Sequence, residues 1–283
     1  MKIRHLGTAA AERIPGLFCR CAICRHALEH GGKEIRTQSQ ALIDENVMLD
    51  YPGDGYMHAL QHRIDMPAVH SLLVTHWHSD HYYGEDIAYR MNPYALGDIG
   101  CLMVYGSATV QEFYERAFFL EQKHEYERVC FEVVRPGDRF DLGDGHWAMA
   151  FEARHGHEFG DCLFYAVGDG ERTVLYAHDT GYFYDRTWNM LAGSGVHFDY
   201  VSLDCNHALH GISLNSHMNF EDNIAVRERM LDMGLADRDT VFVANHFSHN
   251  GGTTHEEMAR AACERGFVVA YDGMAGSSDR CNT

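Results

Sequence analysis

The stretch Ser71-Leu-Leu-Val-Thr-His76-Trp-His78-Ser-Asp80-His81 runs an apolar strand straight into a cluster of metal-binding side chains. Residues two apart on a strand share a side, so His76 and His78 are expected to hold one ion together. Beyond the strand the chain turns, and Asp80 and His81 then face another direction, where they can hold a second ion. Imidazole and carboxylate ligands suit Zn, Mn or Fe, with geometry deciding between them. With 21 His in 283 residues, about one or two H-x-H pairs arise by chance, so the reading rests on the whole H-x-H-x-D-H pattern after an apolar run.

A second cluster is Cys19-Arg-Cys21-Ala-Ile-Cys24, placed in a loop after the first strand. Three thiolates this close make a partial zinc site that needs one more ligand. Reduced structural thiols or a surface redox site are the competing readings. Cys101, Cys130, Cys162, Cys205, Cys263 and Cys281 lie mostly in apolar runs and read as small buried hydrophobes. No P-loop and no persuasive Ser-His-Asp set is present, which leaves metal-assisted hydrolysis as the reaction class.

The elements that must position these groups alternate between short β-rich runs and helix-length segments. Strands are expected at 2–6, 40–44, 47–50, 69–75, 101–105, 129–134, 147–153, 162–167, 173–177, 200–203, 240–244 and 268–271. Helices are expected at 55–65, 83–91, 108–123, 185–191, 220–233 and 256–265, the last opened by a capping box of Thr254 and Glu257. No Pro/Gly/Ser-rich linker interrupts the alternation, so residues 1–283 read as one domain of two packed sheets with helices outside.

Acidic residues outnumber basic ones by 41 to 23, a net charge of −18, which is a poor match to a protein that tracks nucleic-acid backbones or anionic lipid. No stretch approaches the roughly 18–20 apolar residues of a membrane span. Met1 to Gly16 carries Lys2, Arg4, Glu12 and Arg13 without an apolar run, so a secretory signal is not expected and a cytoplasmic location is. In a reducing compartment nine cysteines are expected as thiols or metal ligands rather than disulfides.

H-x-H-x-D-H at a strand end is the signature of the metallo-β-lactamase superfamily, which the chain resembles. The resemblance implies an α/β fold, the αββα four-layer sandwich, and three later ligands. The matching positions are His155 in Glu152-Ala-Arg-His155-Gly-His157, Asp179 in His178-Asp179-Thr180-Gly181, and His246 in Asn245-His246-Phe-Ser-His249. His76, His78 and His155 would then hold one metal, and Asp80, His81 and His246 a second, with Asp179 bridging. His157, two residues on, is the alternative to His155. The Cys cluster with His249, the segment Asn215-Ser-His217-Met-Asn-Phe220, and Tyr271-Asp272-Gly273-Met274 narrow the resemblance. They resemble the group formed by the cyclic phosphodiesterase of the carbon–phosphorus lyase pathway and its relatives. That group carries a structural zinc, here implied at Cys19, Cys21, Cys24 and His249. Ala9 stands where the group often has Gly, and residues 104–135 match no motif of it.

What the resemblance implies is a hydrolase with two divalent metals, Zn or Mn with Fe also compatible, activating a shared water. Asp80 and His217 are its catalytic candidates. His217 would bind the phosphate or protonate the leaving alkoxide, against a plainer reading as a polar residue at a helix start. Small, cyclic or linear phosphodiesters are the expected substrates, with no nucleic-acid polymer and no membrane as partner; a homodimer is compatible. A thioester, lactone or β-lactam hydrolase and an iron-dependent oxidoreductase on the same fold are the alternatives, and a non-catalytic metal module would show a missing ligand. His178, His207 and Asp50 could orient ligands. His5, His26, His30, His58, His62, His70, His124, His146, His197 and His255 are expected on surfaces or helix faces.

Overall fold

Residues that alternate along a strand reach opposite faces of a sheet, and here both faces are apolar, so each sheet has to be covered twice. The computed structural model describes residues 1–210 and 215–276; Cys281 lies outside them. In chain order the elements are β1 (Ile3–Gly7), α1 (Ala22–His30), β2 (Gln40–Ile43), β3 (Val47–Leu49), α2 (Gly55–His62), β4 (Ser71–Leu73), α3 (Gly84–Ala88), β5 (Leu102–Gly106), α4 (Ala108–Glu121) and β6 (Val129–Val133). There follow β7 (Arg139–Gly143), β8 (His146–Glu152), β9 (Leu163–Gly168), β10 (Thr173–Ala177), α5 (Asp185–Gly193), β11 (Tyr200–Asp204), α6 (Phe220–Asp232), β12 (Val241–Asn245), α7 (His255–Glu264) and β13 (Phe267–Val269).

Strands β1 to β6 form one sheet in sequence order, and β13-β12-β11-β10-β9-β8-β7 form the other. Ala41 and Ile43 on β2 meet Val174 and Tyr176 on β10 in the apolar layer between the sheets. Their neighbours Leu42 and Leu175 face outward instead. Leu42 packs under Ile87, Val110, Tyr114 and Phe118 of α3 and α4, and Leu175 under Trp188 and Leu191 of α5. The result is the four-layer αββα sandwich of the metallo-β-lactamase type. Trp188 is fully buried against Phe183, and truncating it to Ala would destabilise the fold by about 3–5 kcal/mol. Gly7 lies where a Cβ would sit 1.9 Å from the Gln38 carbonyl, so only glycine lets β1 cross the 37–38 segment. The expected capping box of Thr254 and Glu257 opens α7.

Three expectations change. The Cys-rich cluster is not in a plain loop: Cys21 caps α1 through its sulfur and Cys24 lies in the first turn. The periodicity hid this helix because only Cys24 and Ala27 of it are buried. β7 was not expected either, since only Leu142 of its residues is buried; it forms as the edge partner of β8. β4 ends at Leu73, short of the expected 75, because the chain leaves the ladder there to enter the metal-binding stretch. Among the other cysteines, Cys162 and Cys205 are buried, but Cys101 and Cys263 are exposed and Cys130 is half-buried. Among the described residues no helix is long and apolar enough to cross a membrane.

Candidate metal centre

The chemistry-bearing residues collect where strands of both sheets end. Asp50 follows β3, His76 to His81 follow β4, His155 follows β8, Asp179 follows β10, Asp204 ends β11 and His246 follows β12. Asp50, Asp179 and His246 have positive φ of 62°, 49° and 60°, a conformation rare for non-glycine residues. Each turns the chain at the sheet's edge so that its side chain enters the cleft. The Leu163 N–H donates to the Thr75 carbonyl at 2.8 Å, tying the two sheets together beside the cleft.

One donor group comprises His76, His78, His155 and Asp179, whose ligand atoms all lie within 4.8 Å of one another. His76 Nε2 is 2.9 Å from His78 Nδ1, and His155 Nε2 is 3.4 Å from that same nitrogen. The Asp179 Oδ2 lies 3.3 Å from His76 Nε2. Zn–N bonds of 2.0–2.1 Å give tetrahedral edges of about 3.3 Å, close to these separations. The expected reason for the first pair was wrong in one respect. His76 and His78 do not share a strand face; they converge from beyond β4, one through Nε2 and the other through Nδ1. His155 joins the group and His157 stays exposed.

The second group is Asp80, His81, Asp179 and His246, all buried. His81 Nε2 is 2.8 Å from Asp179 Oδ2 and 3.4 Å from Asp80 Oδ2, and His246 Nε2 is 3.1 Å from Asp179 Oδ1. His81 Nε2 is buried without an aligned hydrogen-bond partner, as a nitrogen meant for a cation would be. Its other nitrogen, Nδ1, meets Asp50 Oδ2 at 2.8 Å, and Asp50 Oδ1 accepts from the Thr75 N–H and hydroxyl. Asp50 therefore orients His81, as the sequence suggested. Asp179 belongs to both groups.

The electrostatics suit cations. Burial holds His76 well below the usual imidazole range, with His81 adding to the effect. Burial also opposes charge on His81, yet Asp50, Asp80 and Asp179 outweigh it and raise its pKa well above 6.5. Burial would raise Asp179, but His246, His155 and His81 hold it well below the carboxylate range. The buried carboxylates attract protons to His81 and His246, and a metal ion would displace those protons on binding.

His217 stands over the second group. Its Nδ1 is 3.1 Å from Asp179 Oδ1 and 3.0 Å from Asp204 Oδ2. Asp204 is fully buried and its Oδ1 accepts from the N–H groups of Asn206 and Met218. Burial works against charge on His217, but Asp204 and then Asp179 raise its pKa to about 9. Asp204 escaped the sequence reading as a functional group. The signal was available, since it ends an apolar strand as Asp50, Asp179 and His246 do.

The Cys cluster is assembled too. The sulfurs of Cys19, Cys21 and Cys24 and a nitrogen of His249 lie within 4.8 Å of one another, with His249 Nδ1 3.8 Å from Cys19 Sγ and 3.7 Å from Cys21 Sγ. Backbone N–H groups of Cys21, Cys24 and Gly16 donate to these sulfurs. Such bonds hold the Cys21 thiol down although burial opposes them, while burial pushes the Cys24 thiol up to about 12, a proton that zinc would displace on binding. A Cβ on Gly16 would stand 3.1 Å from Cys19 and 3.3 Å from the His249 ring, so the donor set and its close packing both fit zinc.

Other histidines depart from expectation. His5, His58 and His146 are buried, not superficial: the first two bond within the interior and His146 pairs with Asp44. His178 contacts no candidate ligand carboxylate; its nitrogens meet Ser39 and Ser202. The His207 ring meets the His217 ring edge-on, and its Nε2 has no hydrogen-bond partner.

Compared with known proteins, residues 52–247 match the sequence model of the beta-lactamase superfamily domain. No curated protein matches the chain. The fold is similar to that of a diphosphatase from the PhnP family, at 20% identity over 99% of this chain and 98% of that one, with a TM-score of 0.75. It is also similar to Zn(2+)-bound PqqB from Methylobacterium extorquens, at 17% identity over 98% and 100% with a TM-score of 0.75. Human tRNase Z, short form, aligns at 14% identity over 99% and 100%, with a TM-score of 0.67.

Proposed function

Since the chain belongs to the beta-lactamase superfamily and is a metal-dependent hydrolase, we propose that it cleaves phosphodiesters of small molecules. His76, His78 and His155 would hold one divalent cation and Asp80, His81 and His246 another, with Asp179 shared between them. When bound, such cations supply Lewis acidity toward phosphoryl oxygens and a nucleophile from water near neutral pH.

The observation that carries the reading is the pairing of this shared carboxylate with an anchored proton donor. Asp179 Oδ2 reaches His76 and His81 at 3.3 and 2.8 Å, while Asp204 holds His217 by Nδ1 at 3.0 Å. That leaves Nε2 of His217 to give a proton to the departing alkoxide. Asp204 favours the protonated ring and fixes its plane. Trp77 and Phe113 lie with ring planes 26° apart beside His78, an apolar flank for whatever the phosphate carries. Phe113 belongs to α4, within the segment that matched no motif. The net charge of −18 opposes a polyanionic RNA substrate, although human tRNase Z shares the fold.

The test is hydrolysis of bis(p-nitrophenyl) phosphate by purified protein, with chelator and after restoring Mn or Zn, followed by a panel of cyclic ribose phosphates. Turnover that chelator removes and metal restores is the expected result. Absence of turnover by fully metallated protein would refute the phosphodiester assignment.

A further inference from the structure

We propose that Ser39, His178 and Ser202 form a buried bridge that fixes His81 and His246, two ligands of the same proposed cation, relative to one another. The inference rests on the reading that those residues hold a cation. The bridge lies between the sheets, and Ser39, Asp50, Tyr176, His178, Ser202 and Asn245 are all fully buried.

Its hydrogen-bond directions can be worked out from one end. Asn245 Oδ1 accepts from the His246 N–H at 2.7 Å, so the amide Nδ2 faces away from it and must donate. Its targets are His5 Nδ1 at 3.0 Å and Ser202 Oγ at 3.4 Å. The Ser202 hydroxyl then donates to His178 Nε2 at 2.8 Å. In a neutral ring the proton therefore sits on His178 Nδ1, which donates to Ser39 Oγ at 2.8 Å. Ser39 donates to the Tyr176 hydroxyl at 3.1 Å, and Tyr176 donates to Asp50 Oδ2 at 3.3 Å. Asp50 Oδ2 also accepts from His81 Nδ1 at 2.8 Å. In the reverse direction the Ser202 proton has no acceptor among these groups, and the contact between Ser39 and Tyr176 has no proton. One ordering satisfies the whole set, which matters because an unpaired buried polar group is costly.

Both ends of the bridge act on the second donor group. Asp50 sets which His81 nitrogen is free for a metal, and Asn245 holds the backbone turn that points His246 inward, at φ 60°. His178 is thus a positioning residue, although it adjoins Asp179 in sequence and makes no contact with the cleft carboxylates. No hydrogen bond joins His78 or His155 to the bridge, and His76 reaches it through Thr75 and Asp50. Loss of the bridge should therefore weaken one cation more than the other.

The experiment is titration of metal-free protein with cobalt(II), followed by its absorption spectrum, and with zinc against a competing chelator. Wild type is compared with Ser202→Ala, Ser39→Ala and Ser202→Thr, and with His246→Ala to identify which binding step belongs to the second group. Outer-shell partners typically alter metal affinity by about 10–100-fold, so both Ala variants should weaken that step by about tenfold or more while the other two steps hold. Ser202→Thr, which keeps the hydroxyl, should restore it. An unchanged second step would overturn the bridge, and so would parallel weakening of all steps, the mark of general destabilisation. Should Ser202→Ala fail to fold, Ser39→Ala decides from the other end. Wild-type protein that binds one ion at the Cys cluster and only one in the cleft would instead overturn the two-cation reading beneath the proposal.

Discussion

Asp204→Asn tests the role of His217 more sharply than removing the imidazole. The side chains have nearly the same shape. Asp204 Oδ1 already takes the N–H groups of Asn206 and Met218 at 3.1 and 3.0 Å, so the asparagine carbonyl would keep that place. Its NH2 would then face His217 Nδ1, now 3.0 Å from Asp204 Oδ2, and would donate where the carboxylate accepts. A protonated imidazole could no longer be held in that position. The rise of His217 from 6.5 to about 9 corresponds to about 3 kcal/mol in favour of the protonated ring. With Asp179 engaged by cations, Asp204 supplies most of that preference. The variant should lose about thirtyfold of its proton donor at about pH 8.

The assay compares two phosphodiesters on the same metal-loaded protein. An alkyl leaving group needs the proton, and its kcat should fall about thirtyfold. A p-nitrophenolate departs without one, and its kcat should change little. The alkaline limb of the alkyl profile should move to lower pH, while metal content stays at the wild-type level. Equal losses on both substrates, or loss of metal in step with activity, would refute the proton-donor argument.

Further outcomes follow from the same geometry. Structural zinc sites with four ligands bind with about 10–16 kcal/mol, roughly 3 kcal/mol per ligand, so His155→Ala should weaken one cation about a hundredfold, whereas His157→Ala should leave metal content intact; the reverse result would move the ligand to His157. Cys24→Ala should remove one zinc equivalent and lower Tm by about 5 °C or more, and retention of all zinc would end the structural-site assignment. Burial holds His58 down to about 4, so the unfolded chain takes its proton first as pH falls. Its contribution is complete above pH 6.5 and is lost between there and about 4, about 3 kcal/mol in all. Urea unfolding at a series of pH values should show a slope that His58→Gln lowers by that amount, with His5 and His255, also held down by burial, supplying further acid sensitivity; an unchanged slope would refute the assignment to His58.

The signature His76 to His81 was legible because its ligands are adjacent in sequence and follow an apolar run. Asp179 and His246 could be placed because each follows a recognisable strand and fits the family's order. Other features depend on pairings that sequence does not display. His5 showed no partner in the sequence and looked superficial, yet it meets Tyr200 and Asn245 from the far end of the chain. His58 is buried because Thr37 and Gln40 satisfy both its nitrogens, which no helical periodicity reveals. α1 was hidden for another reason: a cysteine caps it where Ser, Thr, Asp or Asn would have marked its start.

The strand ends explain why the fold and the centre cannot be varied separately. A carboxylate or imidazole reaches only a few ångströms from its backbone, so the backbone itself must turn into the cleft. Three residues do this with positive φ, Asp50, Asp179 and His246, each at a conformational cost of about 1–3 kcal/mol. Glycine would relieve that cost but would remove the side chain the turn exists to present. The strain persists because neighbours over-determine it. The Asp50 N–H donates to Leu73 O while its carboxylate holds Thr75 and His81, and the His246 N–H is held by Asn245. On the proposed reading, Thr75, Asn245 and Ser202 would bear on metal affinity through the carboxylate, backbone turn and ring they hold in place, although none would touch the metal.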